Sequence, residues 1–387
     1  MYFWMYVRWI RACHMGHVLV LLAIGFGLIS NAEAQEDKVT PLAGNSHLYS
    51  GETLVEASGF EALYRFVPGE GTNPMIVFVP GDAHLARIFY GYPGGKSEDF
   101  VAYWVGQAGH PFLGVSFPMA NPVFTQAAPG YTIEDWGNQV VAVIKHVMAE
   151  NNLSGPVIVA GWSMGGKIAA SLGRAAKSAD LEIEMFVAMS ADPPVPGFLP
   201  PANTKSIKLD SSGYADRSPI YDWFFNAVAE QNRYNGHTII PKDTYADQFI
   251  GATPLDLIDT GMVFKDGEMV PDIESAIKTS AAFQFDDYPF PVVIHDDSTS
   301  DLENVLLDSS DWAFVRNRVL MNRILAGRKP SDLSQPEWQR LRLMMETSQS
   351  YFTEVVEGNH FFFIGEIGAR DTVAKILRQR DRVASVE

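Results

Sequence analysis

The stretch VIVAGWSMGGKIAA, residues 157–170, sets a serine between glycines where a buried-strand pattern gives way to a helical one. Few backbones tolerate that arrangement. "PVIVA" before it reads as a strand covered on both faces, and "KIAASLGRAA" after it reads as a helix. Gly161-Trp162-Ser163-Met164-Gly165 fits G-x-S-x-G, a sharp strand-to-helix turn that leaves the serine hydroxyl exposed. Neighbouring chain must pass close by, so the positions two before and two after the serine need glycine. Gly166, Ala169 and Ala170 suit a helix packed tightly behind the turn. The amides that open such a helix can donate to a negatively charged oxygen.

The text around this turn repeats the same alternation. "EALYRFVP", "NPMIVFVPGD", "HPFLGVSFP", "GPVIVAG", "EIEMFVAMSAD" and "FPVVIHDD" read as strands. "SEDFVAYWVGQAG", "YTIEDWGNQVVAVIKHVMAENN", "MGGKIAASLGRAAKSA", "DWAFVRNRVLMNRILAG", "PEWQRLRLMMETSQ" and "ARDTVAKILRQRDRV" read as helices, with Thr132 and Asp135 capping the second. "YFTEVVEGNHFFF" reads as a late strand and turn. Strands alternating with helices predict an α/β fold with a mostly parallel sheet covered on both faces. Residues 35–50 are polar and read as a loose lead-in. From Pro193 to about Tyr288 the pattern loosens, with many Pro, Gly, Asp and aromatic residues. The expected organisation is a leader over 1–34, the first part of the core over 35–192, a lid or cap insertion over 193–288, and the rest of the core over 289–387.

The leader stands apart in composition. Arg8 and Arg11 precede an apolar run from Val18 to Ile29, and Ala32-Glu33-Ala34 supplies the small-x-small cleavage pattern of a secretory signal peptide. The run is short for a membrane span, which needs about 20 residues. Met15 could itself be the start, and an uncleaved anchor extended by the aromatic N-terminus is the rival reading. A secreted or periplasmic location is expected, with the membrane met only transiently during export. Cys13, the single cysteine, lies in this leader, so the mature chain would carry no disulfide, thiolate nucleophile or cysteine metal site. The net charge of −17 over 387 residues argues against nucleic-acid binding. Hydrophobic residues at 47% against 19% charged leave ample material for a core.

A serine hydroxyl is a weak nucleophile without a base. His360, in "VVEGNHFFFIGE", falls just past a strand after Gly358-Asn359 and is the expected general base. His295 ends an apolar strand and reads as a satisfied core histidine. His47, His110, His146 and His237 fall in the lead-in, a strand start, a helix and the insertion. A developing oxyanion would be held by the Met164 amide and by a second amide from Pro80-Gly81-Asp82-Ala83, with Asp82 expected and Ala83 next. Asp82 and His84 could instead shape that turn alone.

From about Pro74 to Gly197, together with the His360 segment, the chain resembles the α/β-hydrolase superfamily, in which serine comes first and histidine last. "IEDWGNQVVAVIKHV", the segment from Ala160 to Gly197 and "EGNHFFF" resemble its thioesterase branch. The resemblance implies an acid to orient His360. Asp192, after the strand that follows the elbow helix, is where thioesterase-like members carry it and is the first choice. Asp301, after the next strand, is the more usual hydrolase position, and Asp296 and Asp297 share its turn. The implied chemistry is hydrolysis of a small acyl ester through an acyl-enzyme, with no metal or organic cofactor. A thioesterase or acyltransferase on the same residues is the second reading, and a non-catalytic binder of hydrophobic ligands the third. "GYPGGK", residues 91–96, lacks phosphate-loop spacing.

Overall fold

The computed structural model describes residues 39–385 apart from 71, 196–206, 259–261, 267 and 326. The leader over 1–34 lies outside them. In chain order the strands are β1 (Thr40–Pro41), β2 (Glu52–Ala57), β3 (Phe60–Val67), β4 (Met75–Val79), β5 (Phe112–Ser116), β6 (Val157–Trp162) and β7 (Ile183–Met189). After them come β8 (Met262–Lys265), β9 (Glu268–Pro271), β10 (Pro291–His295) and β11 (Thr353–Val355). Nine form one sheet in the order β1-β2-β3-β5-β4-β6-β7-β10-β11, while β8 and β9 form a hairpin apart. From β5 to β11 every neighbour in the sheet is parallel; β3, β2 and β1 join at one edge by antiparallel pairing.

Every residue of β4, β5, β6 and β10 is buried. Side chains alternate between faces along a strand, so unbroken burial means that both faces are covered. The helices are α1 (Arg87–Tyr90), α2 (Val101–Gln107), α3 (Ile133–Glu150), α4 (Ala169–Ser178), α5 (Tyr221–Asn235) and α6 (Lys242–Gln248). The later ones are α7 (Leu255–Ile258), α8 (Ile273–Ser280), α9 (Ser309–Leu325), α10 (Gln335–Tyr351) and α11 (Glu366–Ala384). α3 packs against α4, and α2 against α11. Thr132 and Asp135 form the expected reciprocal cap on α3, a contribution of about 1 kcal/mol. No described helix is long and apolar enough to cross a membrane.

Between β7 and β10 the described chain adds no strand to the sheet. It threads instead between two loops at the ends of sheet strands. Phe249 O accepts from Leu85 N at 2.8 Å, Gly251 N donates to Ala83 O at 3.0 Å, and Ala252 O accepts from Ala120 N at 2.9 Å. Phe224, Tyr245, Phe249 and Ile250 are buried in the main core.

Candidate active site

The sheet order β5-β4-β6 reverses direction at β4 and β6, since the chain goes out from β4 to β5 and returns to β6 on the other side. In open parallel sheets the crevice beyond the strand ends at such a reversal is where ligands bind. Pro80-Gly81-Asp82 follows β4 there, and Ser163 follows β6.

Ser163 opens a 3₁₀ turn, Ser163–Ile168, with φ +53°. A side chain in that left-handed region costs about 1–2 kcal/mol. The glycines meet the demand read from the sequence. A Cβ on Gly161 would lie 2.5 Å from the Gly165 carbonyl oxygen, and one on Gly165 would lie 2.8 Å from that of Pro80. The helix expected over 164–179 is therefore a 3₁₀ turn followed by α4. Gly165 and Gly166 are weak helix formers, and Gly166 packs directly on the Asp192 backbone.

Trp162 joins the elbow to the His360 segment. Its indole N–H donates to His360 O at 2.9 Å, and its ring lies 5.2 Å from the imidazole. His360 is buried, and its Nδ1–H donates to Asp301 Oδ2 at 2.7 Å. Burial opposes the imidazolium, but the Asp301 carboxylate outweighs it by charge and hydrogen bond, and the pKa of His360 is raised. For Asp301 burial favours the neutral acid, yet His360 and a hydrogen bond from Asp296 hold it below its ordinary value.

Serine, aspartate and histidine thus stand on the loops after β6, β10 and β11, in that chain order. The fold is that of the α/β-hydrolases.

Asp192, the first choice for the acid, is placed elsewhere. Its amide donates to the Ser163 carbonyl at 3.1 Å, and its carboxylate faces Lys167 at 3.6 Å and Asn304 at 3.4 Å. The reason lies in the sheet order: β10 separates β7 from β11, so the loop after β7 starts one strand spacing farther from His360 than the loop after β10. Asp297 turns away and accepts from Gly358 N at 3.0 Å. Asp296 is buried behind Asp301, accepting from Ser190 Oγ at 2.9 Å and Ser298 N at 2.8 Å. Asp296, Asp301 and His360 bring potential metal-ligand atoms within 4.8 Å of one another. Each of the three already has hydrogen-bond partners in this network.

The loop after β4 is locked from several sides. Gly81 lets it approach the elbow, since a Cβ there would lie 2.7 Å from Ser163 Cβ and 3.3 Å from Oγ. The peptide between Asp82 and Ala83 is held at both ends. Its carbonyl accepts from His84 Nδ1–H at 2.6 Å, and its N–H donates to Thr253 Oγ1 at 2.9 Å. Ala83 is therefore already engaged, whereas the Asp82 amide meets no partner among the described residues. Met164 lies in the first turn after the elbow, where amides lack an intrahelical acceptor. The Asp82 carboxylate accepts from Arg217 Nε at 2.7 Å and Thr253 Oγ1 at 2.7 Å. His84 is fully buried between Trp162, Phe224, Tyr245 and Phe361. Burial lowers its pKa to about 4, so it is neutral. With Nδ1–H given to Asp82, its Nε2 accepts from Tyr245 OH at 2.5 Å.

Four other described histidines have structural partners. His295 Nδ1 lies 2.6 Å from Asp296 O, His110 Nδ1 lies 2.8 Å from Pro74 O, and His146 and His237 face Glu150 and Asp99. Trp223 and Tyr245 belong to the aromatic-rich stretch that the sequence marks as either a pocket lining or a small core, whereas Arg217 and Thr253 carry no sequence signal as site residues. Trp223 is 40% exposed, with its ring 5.3 Å from that of His360.

No protein-family model and no curated protein matches the chain. Among solved structures it is similar to a thermophilic esterase from Thermogutta terrifontis, at 10% identity over 89% of this chain and 98% of that one, with a TM-score of 0.47. It is similar to a haloalkane dehalogenase from Bradyrhizobium elkani, at 11% identity over 90% and 99%, with a TM-score of 0.46. It is also similar to a thioesterase domain from the curacin biosynthetic pathway, at 13% identity over 84% and 98%, with a TM-score of 0.38.

Proposed function

We propose that this protein is an exported serine hydrolase that cleaves a small carboxylic ester. Ser163 attacks the carbonyl carbon, and His360 takes the hydroxyl proton on Nε2 while its Nδ1–H stays bonded to Asp301. The amides of Met164 and Asp82 receive the oxyanion. His360 then returns the proton to the leaving alcohol, and water repeats the sequence on the acyl-enzyme. The observation that carries the reading is the buried His360–Asp301 pair on the loops beside an elbow serine at φ +53°. The 193–288 segment serves as a cap, supported by Trp223 against the His360 ring. Export rests on the leader: Arg8, Arg11, the Val18–Ile29 run and Ala32-Glu33-Ala34.

The test is labelling of the mature protein with a fluorophosphonate and mapping of the modified peptide by mass spectrometry. Ser163 alone should be labelled, and the Ser163→Ala and His360→Ala variants should not react while keeping the parent circular-dichroism spectrum. Normal labelling of the His360 variant would remove that residue from the mechanism. Paired oxygen-ester and thioester substrates with one acyl group then decide the leaving group. Turnover of the thioester alone would replace the ester reading with the thioesterase one.

A further inference from the structure

The loop after β10 carries more acid than the proposed reaction needs. Asp301 faces His360, and a second carboxyl, Asp296, is buried directly behind it with none of its surface exposed. A carboxylate oxygen of each aspartate and a ring nitrogen of His360 all lie within 4.8 Å of one another. Asp296 is tied from two sides, by the Ser190 hydroxyl from the loop after β7 and by the Ser298 amide from its own loop. Two carboxylates this close in a buried site cannot both ionise cheaply, so one proton is held between them.

We propose that Asp296 and Asp301 act as one proton-sharing pair, through which Asp296 tunes the basicity of His360 as a positioning residue. The inference rests on reading His360 as the general base. Asp301 is the carboxylate member, because the His360 Nδ1–H already points at it. Asp296 is the neutral member and donates its acid proton to Asp301. Burial first, and then its bond to Asp301 and the Asp301 charge, raise Asp296 to about 7. The other titratable groups near the pair are His295, whose Nδ1 lies 2.6 Å from Asp296 O, and Asp297, bonded to Gly358 N. Asp192 and Asp308 lie farther out, with Lys167 facing Asp192. As pH rises through neutrality, Asp296 loses its proton to solvent and a second negative charge stands behind the imidazole. That charge favours the imidazolium and makes His360 a stronger base. Asp296→Asn keeps a neutral group of the same shape that can still donate to Asp301, and it cannot ionise.

The experiment follows the His360 imidazole by ¹⁵N-histidine NMR against pH in the parent and in Asp296→Asn, alongside the pH dependence of fluorophosphonate inactivation. In the parent, the His360 shifts should show a second inflection near neutrality, since each step of a coupled pair is felt at both sites. In the variant that inflection should vanish, and the His360 midpoint should fall by on the order of one pH unit, a tenfold change in proton affinity. The acid limb of the inactivation profile should move the same way. Ser190→Ala removes a hydroxyl that favours the ionised form of Asp296 and should lower the midpoint in the same direction. It gives a second route if the Asn variant fails to fold. A single inflection in the parent together with an unchanged midpoint in a folded variant would overturn the proposal. Failure of the parent to react with the fluorophosphonate would instead sink the serine-hydrolase reading, while the NMR titration would still judge the carboxyl pair.

Discussion

At the scale of single residues, buried carboxyls set how this protein answers to pH. Asp308 closes the π-turn Glu303–Asp308, is buried, and accepts from Asn304 at 2.6 Å through Oδ2, while its Oδ1 has no partner among the described residues. Burial, with the charges of Asp192 and Asp311 behind it, raises its pKa to about 9. The folded chain therefore keeps Asp308 protonated up to about pH 9, while the unfolded chain ionises it above about pH 4. Between those limits the unfolded state binds fewer protons, so this group's contribution to stability falls as pH rises. Asp308→Asn cannot ionise in either state and removes that slope. The variant should match the parent near pH 4 and exceed it by about 2 kcal/mol at pH 8, below the full linkage value because relaxation softens buried-charge costs. Urea denaturation at pH 4.5 and pH 8 checks this; equal gaps at both would place the Asp308 pKa near its ordinary value.

At the scale of elements, the chain between α6 and α7 acts as a brace. Its stretch from Phe249 to Thr253 is hydrogen-bonded on one side to the loop after β4 and on the other to Ala120. The Thr253 hydroxyl accepts from the Ala83 amide and donates to the Asp82 carboxylate. Thr253→Val keeps the shape and removes both bonds, freeing the Asp82–Ala83 peptide to rotate. Loss of an oxyanion donor costs about 10²–10³ in rate, so disorder in the support of the proposed Asp82 donor should cost about tenfold in inactivation rate or kcat, with the melting temperature little changed. Unaltered rates would show that Arg217 and His84 hold the loop unaided. The sequence disclosed some of this arrangement and concealed the rest for physical reasons. Ser163 and His360 stood out because a strained turn and a strand-end loop leave local glycine signals. The sheet strands from β3 onward and the Thr132 cap were legible for the same local reasons. The choice between Asp192 and Asp301 was not, because both follow apolar strands and only the order of β7, β10 and β11 separates them. Thr253 and Arg217 gave no signal, since a segment held by backbone bridges needs no periodic pattern. β2, whose short segment follows a polar lead-in, was missed, and so was the β8–β9 hairpin.

At the scale of the whole molecule, the proposal of export makes the leader dispensable to the fold. Every described strand and helix begins at or after Thr40, and β1 pairs with β2 within the same unit. The buried Arg87–Glu52 ion pair, joined by Tyr90 and by the His47 carbonyl, fastens the lead-in to the core. Removing one partner of such a pair costs about 3–5 kcal/mol, so a chain that keeps both residues keeps its anchorage. A protein starting at Gln35 contains them and should match the melting temperature and Ser163 labelling of the exported product. In an exporting bacterial host, the full-length gene should yield a soluble extracytoplasmic protein whose N-terminal residue, read by mass spectrometry, is Gln35. Recovery of the intact 1–34 segment in the membrane fraction would mean that the apolar run holds the protein at the bilayer. The proposed active site would then work beside a lipid surface, and the ester it cleaves would have to be sought there.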